Sequence, residues 1–286
     1  MKNLKIKNLL KKNIKFVCDI EMESLKPGNV HKYSPGHDMS VEDFLKSSLI
    51  ISKCLTNNNL YFGEKIFNCV KEIKLKIKQN TNLGIILLLS PLVEVILNHG
   101  IISKKELLKK TKKLIRKQNI KNSTPIFKAI SLASPGGLGL SKKYDVNKLP
   151  KTNIFKAMKY SEKKDFISRQ YSNGYKDIFN IGLPAYEKYL RKWKNINWAL
   201  TGVYLTFLKS FNDTHIIRKK GIKIAQNVKK EAKKYYKYTN NVKNLDKIKK
   251  KLLIFDKKLK SNGINPGTSA DLTVATLFFE LVTKKQ

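Results

Sequence analysis

The residues best suited to chemistry lie in short loops that contain a Pro-Gly pair. Three of these loops carry an aspartate within about ten positions of the pair, namely Asp38, Asp145 and Asp271. Hard cations such as Mg²⁺ bind one or two carboxylates and complete their shell with water and phosphate oxygens. Each aspartate alone is equally typical of a helix cap or a turn. Together they favour a site for a phosphorylated small molecule.

The loop at residues 26–39 is the richest in polar groups. It holds two Pro-Gly pairs together with Asn29, His31, His37 and Asp38. Proline fixes φ for a turn, and glycine lets the backbone approach a ligand closely. The loop by itself fits two interpretations equally well: a surface turn with two histidines, or one wall of a site.

Other polar clusters follow or precede apolar helical segments. Asp213 and His215 come directly after a strongly helical segment, and Arg218 and Lys219 follow them. Free N–H groups at helix N-termini favour anions. The residues that we expect to bind substrate through such ends or through glycine-rich turns are Asn80, Asn82, Gly136, Gly137, Gly267, Thr268 and Ser269.

Helical periodicity runs through nearly the whole chain, and strand-like alternation is almost absent. We therefore predict an all-α fold: one domain over residues 1–286, built as a bundle of ten or more helices. The run at 85–97 is apolar on all sides and predicts a central buried helix. The other predicted helices are 14–25, 41–55, 62–78, 104–117, 123–131, 151–161, 162–171, 173–189, 196–211, two between 219 and 260, and a last one from 265 to 282.

Composition limits the function in several ways. The net charge of +38 suggests a polyanionic partner, but only four of the 59 basic residues are Arg, and the lysines are scattered. Arg is the preferred residue for bidentate recognition of phosphates and bases, so nucleic-acid binding is disfavoured and A+T-rich codon usage explains most of the charge. Three isolated cysteines and no secretory or membrane-spanning segment predict a reducing, cytoplasmic location.

Motifs of several common enzyme classes are missing. The chain has no HExxH, GxSxG or GxGxxG, and the glycine-rich loop at 134–139 lacks the Lys-Ser/Thr ending of a P-loop. Zinc proteolysis, serine hydrolysis and Rossmann-type cofactor binding therefore have no support.

Six motifs in order resemble the triphosphoribosyl-dephospho-CoA synthase family. They are Lys26–His31, Gly36–Met39 with Asp43-Phe44, Asn80–Gly84, Gln170–Tyr175, Asp213–His215 and Pro266–Leu272. The resemblance implies an all-helical transferase that moves the triphosphoribosyl group of ATP to the 2′-hydroxyl of 3′-dephospho-CoA and releases adenine. The product is the precursor of the prosthetic group on the acyl carrier proteins of citrate lyase and malonate decarboxylase.

This chain departs from better-studied relatives within three of the motifs. They carry Gly-Leu-Val-Asp where this chain has residues 28–31, Asn-Thr-His-Lys-Gly at residues 80–84, and Pro-Gly-Gly-Ser-Ala-Asp at residues 266–271. The chain therefore resembles a divergent branch. Another acceptor, or water, stays an alternative to dephospho-CoA, and a basic nucleic-acid-binding protein is the alternative outside enzymology.

The reaction implied by the resemblance assigns roles to the candidate residues. A general base must deprotonate the attacking hydroxyl, an acid must assist adenine, and cations must hold the triphosphate. The predicted base or Mg²⁺ ligands are Asp38, Asp213 and Asp271, and the predicted proton donors or orienting groups are His37 and His215. The predicted substrate contacts are Lys26, Gly28, Asn29, His31, Arg218 and Lys219, with the N–H groups of Gly267–Ser269.

Overall fold

The structure is a computed structural model that describes residues 2–34, 41–77 and 82–283. These segments form fourteen α-helices and one π-helical turn, without a β-strand among them. The predicted all-α class is confirmed. The helices are α1 (Lys2–Glu23), α2 (Val41–Leu55), α3 (Phe62–Ile77), α4 (Leu83–His99), α5 (Lys104–Arg116), α6 (Ile120–Ala133), α7 (Ile154–Ser161), α8 (Phe166–Asn173), α9 (Leu183–Trp193), α10 (Ile196–Ser210), α11 (Thr214–Lys220), α12 (Ile222–Asn241), α13 (Leu245–Ser261) and α14 (Gly267–Thr283).

Helix α4 is the centre of the bundle. It is buried along most of its length and packs against α1, α3, α5 and α14. Apolar residues on every face explain this position, because no side of the helix can be left in water without cost. The predicted central buried helix is confirmed. No single described helix is long and apolar enough to cross a bilayer, and only the bent pair α4 and α5 passes that test jointly.

Several predicted boundaries were wrong. Helix α1 begins at Lys2, twelve positions before the predicted Ile14. The prediction missed this first half because it is rich in lysine and shows little apolar periodicity. Helix α6 begins at Ile120, where Asn119 accepts a hydrogen bond from the backbone N–H of Asn122, and not at residue 123. The helix predicted over 173–189 is instead a π-helical turn at Ile178–Gly182 followed by α9.

A second apolar cluster lies between α10, α12 and α13. Tyr204, Leu208, Val228, Leu252 and Phe255 are buried there. The lysines of α12 and α13 lie mostly on the opposite, exposed sides, so the two predicted solvated helices are confirmed. This cluster supports the loop after α1 and the start of α14.

Candidate active site

A cavity of about 1080 Å³ opens between the N-terminal ends of α4 and α14, helix α11, and the loop at 134–145. Ten of the predicted site residues line it: Asn29, Asn82, Gly136, Gly137, His215, Arg218, Lys219, Gly267, Thr268 and Asp271. Five others lie outside its lining, namely Lys26, Gly28, His31, Asp213 and Ser269. His37, Asp38 and Asn80 lie outside the described residues, so their roles stay predictions.

Asp271 is the distinctive carboxyl of the cavity wall. It lies in the first turns of α14, and no hydrogen bond reaches it from the described residues. Gly84 of α4 lies directly against it, and a Cβ at position 84 would collide with the carboxylate oxygen Oδ2. Burial raises the pKa of Asp271 well above 3.8, and the negative charge of Glu21 raises it further. A carboxyl with a raised pKa and no hydrogen-bond partner among the described residues is a stronger base than an ordinary aspartate.

Glu21 is a second carboxylate on this wall, and the sequence analysis missed it. It belongs to the last turn of α1, where a glutamate reads as an ordinary helix residue. Lys26 lies beside it with no exposed surface, and its Nζ approaches Glu21 Oε1 at 2.5 Å. The same Nζ donates to the carbonyl oxygens of Glu21 at 2.8 Å and Val30 at 3.0 Å.

These contacts occupy the three donor hydrogens of Lys26. Burial lowers the pKa of Lys26, and the negative charge of Glu21 opposes that shift. The predicted phosphate contact by Lys26 does not agree with this arrangement, because its ammonium group is fully buried and paired inside the protein. Lys26 instead fixes the position of Glu21.

Asp213 joins the start of α11 to the start of α14. Its Oδ1 accepts from the N–H groups of His215 (2.9 Å) and Ile216 (3.2 Å). Its Oδ2 accepts from the N–H (2.7 Å) and the hydroxyl (2.8 Å) of Ser269. Burial raises the pKa of Asp213, and these hydrogen bonds lower it. Two donors on each oxygen and a position outside the cavity do not agree with the predicted role as base or metal ligand, nor with Ser269 as a phosphate contact.

The loop after α1 is held by Asp256 of α13. Asp256 Oδ1 accepts from the N–H of Gly28 at 2.8 Å and lies 3.2 Å from His31 Nε2. His31 is completely buried, which lowers its pKa. Both predicted substrate contacts, Gly28 and His31, therefore face α13 and not the cavity. Asn29 is the exception: it lines the cavity and donates to Asn265 Oδ1 at 2.8 Å.

The cationic end of the cavity is built from α11. Arg218 Nη1 donates to Asp165 Oδ2 at 2.7 Å, while the buried Nε has no partner among the described residues. Lys219 passes next to Gly136, where an added Cβ would lie 2.6 Å from Cε. Gly137 adopts a φ of 74° and packs against the backbone of Arg218, so only glycine fits there. The glycine-rich loop thus lies directly against the two cations.

His215 and Thr268 join the cationic end to α14. The backbone N–H of His215 lies 3.1 Å from Thr268 Oγ1, to which it donates. The imidazole ring lies so close to Gly267 that a Cβ there would collide with Nδ1. Asn82 caps α4 with a φ of 64°, and its side chain donates to the hydroxyl of Ser47. All four cavity residues are thus held by neighbouring helices.

The sequence model of the CitG family, ATP:dephospho-CoA triphosphoribosyl transferase, matches residues 10–286. The chain belongs to this family. It also resembles a crystal structure from Archaeoglobus fulgidus that was provisionally assigned as a triphosphoribosyl-dephospho-CoA synthase. That likeness has a TM-score of 0.63 and 23% sequence identity, and it covers 84% of this chain and 98% of the other. No curated protein sequence matches.

Membership of the CitG family confirms the predicted transferase, with triphosphoribosyl transfer from ATP to dephospho-CoA as its reaction. Both substrates carry an adenosine and phosphates, and the cavity offers cations, amide groups and the Asp271 carboxyl, which has no hydrogen-bond partner among the described residues. Among the described residues, no three His, Cys, Asp or Glu side chains are grouped to hold a metal ion. Glu21 and Asp271 still fit Mg²⁺, because this ion needs only one or two carboxylates when phosphates supply further oxygens.

Proposed function

We propose that the cavity binds ATP and 3′-dephospho-CoA side by side and that Asp271 is the general base. The observation that carries this proposal is the carboxyl of Asp271, which has a raised pKa and no hydrogen-bond partner among the described residues, in the wall of a cavity of about 1080 Å³. The raised pKa makes this carboxylate a stronger proton acceptor than an ordinary aspartate.

The proposed step is a displacement at C1′ of the ribose of ATP. The 2′-oxygen of dephospho-CoA forms a bond to C1′ while the bond from C1′ to adenine breaks, and adenine keeps that electron pair. The hydroxyl proton passes to Asp271, and adenine takes up one proton as it leaves. His215 lines the same cavity, and we assign it as the donor or orienting group for that proton. The transition state has the glycosyl-cation character known from glycoside hydrolysis.

The triphosphate belongs at the cationic end of the cavity. Arg218 and Lys219 both line that end, and no hydrogen bond from the described residues ties down Lys219. Gly267 and Thr268 at the start of α14 line the same space, where the N-terminal end of the helix dipole favours negative charge. Arg218 is already held by Asp165, so its guanidinium is oriented before the phosphates arrive.

Mg²⁺ fits this arrangement as a companion of ATP. Glu21 would hold it together with triphosphate oxygens, and Asp38 stays a further predicted ligand. When bound, the ion supplies positive charge that neutralises the triphosphate. The product would be the precursor of an acyl-carrier-protein prosthetic group.

The test is incubation with ATP, Mg²⁺ and 3′-dephospho-CoA, followed by mass spectrometry. Release of adenine in equal amount with a triphosphoribosyl adduct is the expected result. Adenine without the adduct would instead identify a hydrolase, and the absence of adenine would overturn the proposal.

Asp271→Asn should lower the formation of both products by about 10²- to 10⁴-fold while the protein stays folded. Asp246→Asn is the matched control, because Asp246 is an exposed aspartate in the first turn of α13 and does not line the cavity. Full activity in Asp271→Asn would remove Asp271 from the mechanism.

A further inference from the structure

Two tyrosines line the cavity without a role in the chemistry proposed above. Tyr144 belongs to the loop at 134–145, and Tyr160 lies in the last turn of α7. Their ring centroids are 5.6 Å apart, and the rings meet edge to face at 87°. Tyr144 is 39% and Tyr160 42% exposed, so part of each side chain is accessible from the cavity or the solvent.

The backbone around Tyr144 fixes the position of its ring. Tyr144 has a φ of 56°, a conformation that is uncommon for an aromatic residue and that costs free energy unless the surroundings impose it. The neighbouring Asp145 imposes it: its two oxygens accept from the N–H groups of Ser141 at 2.7 Å and Asn147 at 2.8 Å. The loop therefore presents this aromatic side chain to the cavity at a cost in backbone strain.

Short segments connect both tyrosines to the cationic end. Tyr160 is five residues from Asp165, which holds Arg218, and five residues span at most about 17 Å. Tyr144 belongs to the same loop as Gly136, which packs on Lys219. Arg218, Lys219 and both tyrosines line one cavity, so a nucleotide whose phosphates lie at the two cations can place its base at the rings.

We propose that Tyr144 and Tyr160 form the platform on which the adenine ring of a substrate stacks. The inference rests on the proposed function, in which both substrates carry adenine. Flat aromatic faces bind purines by stacking, which contributes about 1–3 kcal/mol per base. An open edge-to-face pair offers one such face and a second ring to close around the base.

The experiment replaces each ring by an aliphatic side chain. Tyr160→Leu and Tyr144→Leu should raise the KM for one adenine-containing substrate about 5- to 100-fold with kcat nearly unchanged. Tyr160→Phe and Tyr144→Phe should behave like the wild type, because the ring is kept. Tyr61→Leu is the matched control, since Tyr61 is 71% exposed and lies outside this cavity.

Base-free inhibitors separate the two sources of adenine. Ribose 5-triphosphate lacks the base of ATP, and 4′-phosphopantetheine lacks the adenosine of dephospho-CoA. If the base of ATP stacks, the leucine variants lose affinity for ATP but bind ribose 5-triphosphate as the wild type does. If the base of dephospho-CoA stacks, they lose affinity for dephospho-CoA but keep 4′-phosphopantetheine.

Thermal unfolding first establishes that both leucine variants are folded. The proposal is overturned if these variants bind both substrates with affinities within about twofold of the wild type. Equal loss of the base-free inhibitors would also overturn it, because that would indicate a general disturbance of the cavity. The binding measurements do not need turnover. A wild-type protein that binds ATP through these rings but releases no adenine would contradict the proposed function and leave the stacking platform standing.

Discussion

Asp213 and Asp271 are both aspartates that belong to sequence motifs, Asp213 to Asp-Thr-His and Asp271 to the Pro-Gly motif at the start of α14. They differ in what surrounds their carboxyl groups. Asp213 accepts four hydrogen bonds and lies behind the cavity wall. Asp271 accepts none from the described residues and lies in the wall itself. Burial raises the pKa of both, but only for Asp213 do hydrogen bonds act against that rise.

The difference separates a carboxylate that holds the fold from one that is free to react. A carboxylate whose lone pairs are all used has no capacity for a proton or a cation, whatever its burial. A carboxyl that the fold leaves unpaired in a cavity retains that capacity at a cost in stability. Four measurements test this difference between Asp213 and Asp271.

The largest expected effect is on the rate of Asp271→Asn. Adenine release should fall by about 10²- to 10⁴-fold, because the variant keeps the shape of the side chain but cannot accept the proton. Its unfolding temperature should stay equal to that of the wild type or rise. A variant that loses stability in place of activity would give Asp271 the role that we assign to Asp213.

The opposite pattern is expected for Asp213→Ala. Removing this side chain leaves the N–H groups at the starts of α11 and α14 without partners, which should cost about 2–4 kcal/mol of unfolding free energy. Urea denaturation measures the loss. At urea concentrations below the unfolding midpoint, the folded fraction of Asp213→Ala should keep part of its activity. If the variant were as stable as the wild type but inactive, Asp213 would be the reactive group and the distinction from Asp271 would be wrong.

Gly84→Ala tests how closely the position of Asp271 is set by α4. The new Cβ would collide with the Asp271 carboxylate, so this side chain must move, and a small displacement of a catalytic group costs about 10- to 100-fold in rate. The control is the double variant with Asp271→Asn. If Gly84→Ala acts through Asp271, adding it to Asp271→Asn should lower the rate no further.

The smallest effect is on the pH dependence of stability. A carboxyl whose pKa is higher in the folded than in the unfolded chain contributes most stability below its ordinary pKa of 3.8, and this contribution is lost as pH rises through the folded value. The unfolding temperature of the wild type should therefore fall relative to that of Asp271→Asn as the pH rises from about 3.8 through the folded-state pKa. If the unfolding temperatures of the two proteins changed with pH in parallel, the pKa of Asp271 would not be raised in the folded protein.

The sequence predicted the fold better than the site. The apolar run of α4 and the periodicity of α2 identified both helices, since side-chain burial repeats with the helical turn. Pro125 inside α6 and the lysine-rich start of α1 obscured the true ends of those helices. The π-helical turn at residues 178–182 has no recognisable pattern of residue types in the sequence.

For the site, motif positions brought ten predicted residues to one cavity, but they could not separate reactive from structural groups. Lys26 and Asp213 belong to motifs as clear as that of Asp271, and their hydrogen bonds are visible only in three dimensions. Glu21 was missed because one glutamate in a helix has no special spacing. Tyr144 was missed because backbone strain at one residue cannot be read from its neighbours' types.

The contact between Gly84 and Asp271 has an evolutionary consequence. It ties the proposed base to the apolar, largely buried helix α4, whereas the tyrosines belong to a loop and to the end of a short helix. Changes in the loop at 134–145 can therefore alter which acceptor is taken without moving the group that performs the chemistry. A divergent branch of the family can acquire a new acceptor by this route while position 84 stays glycine.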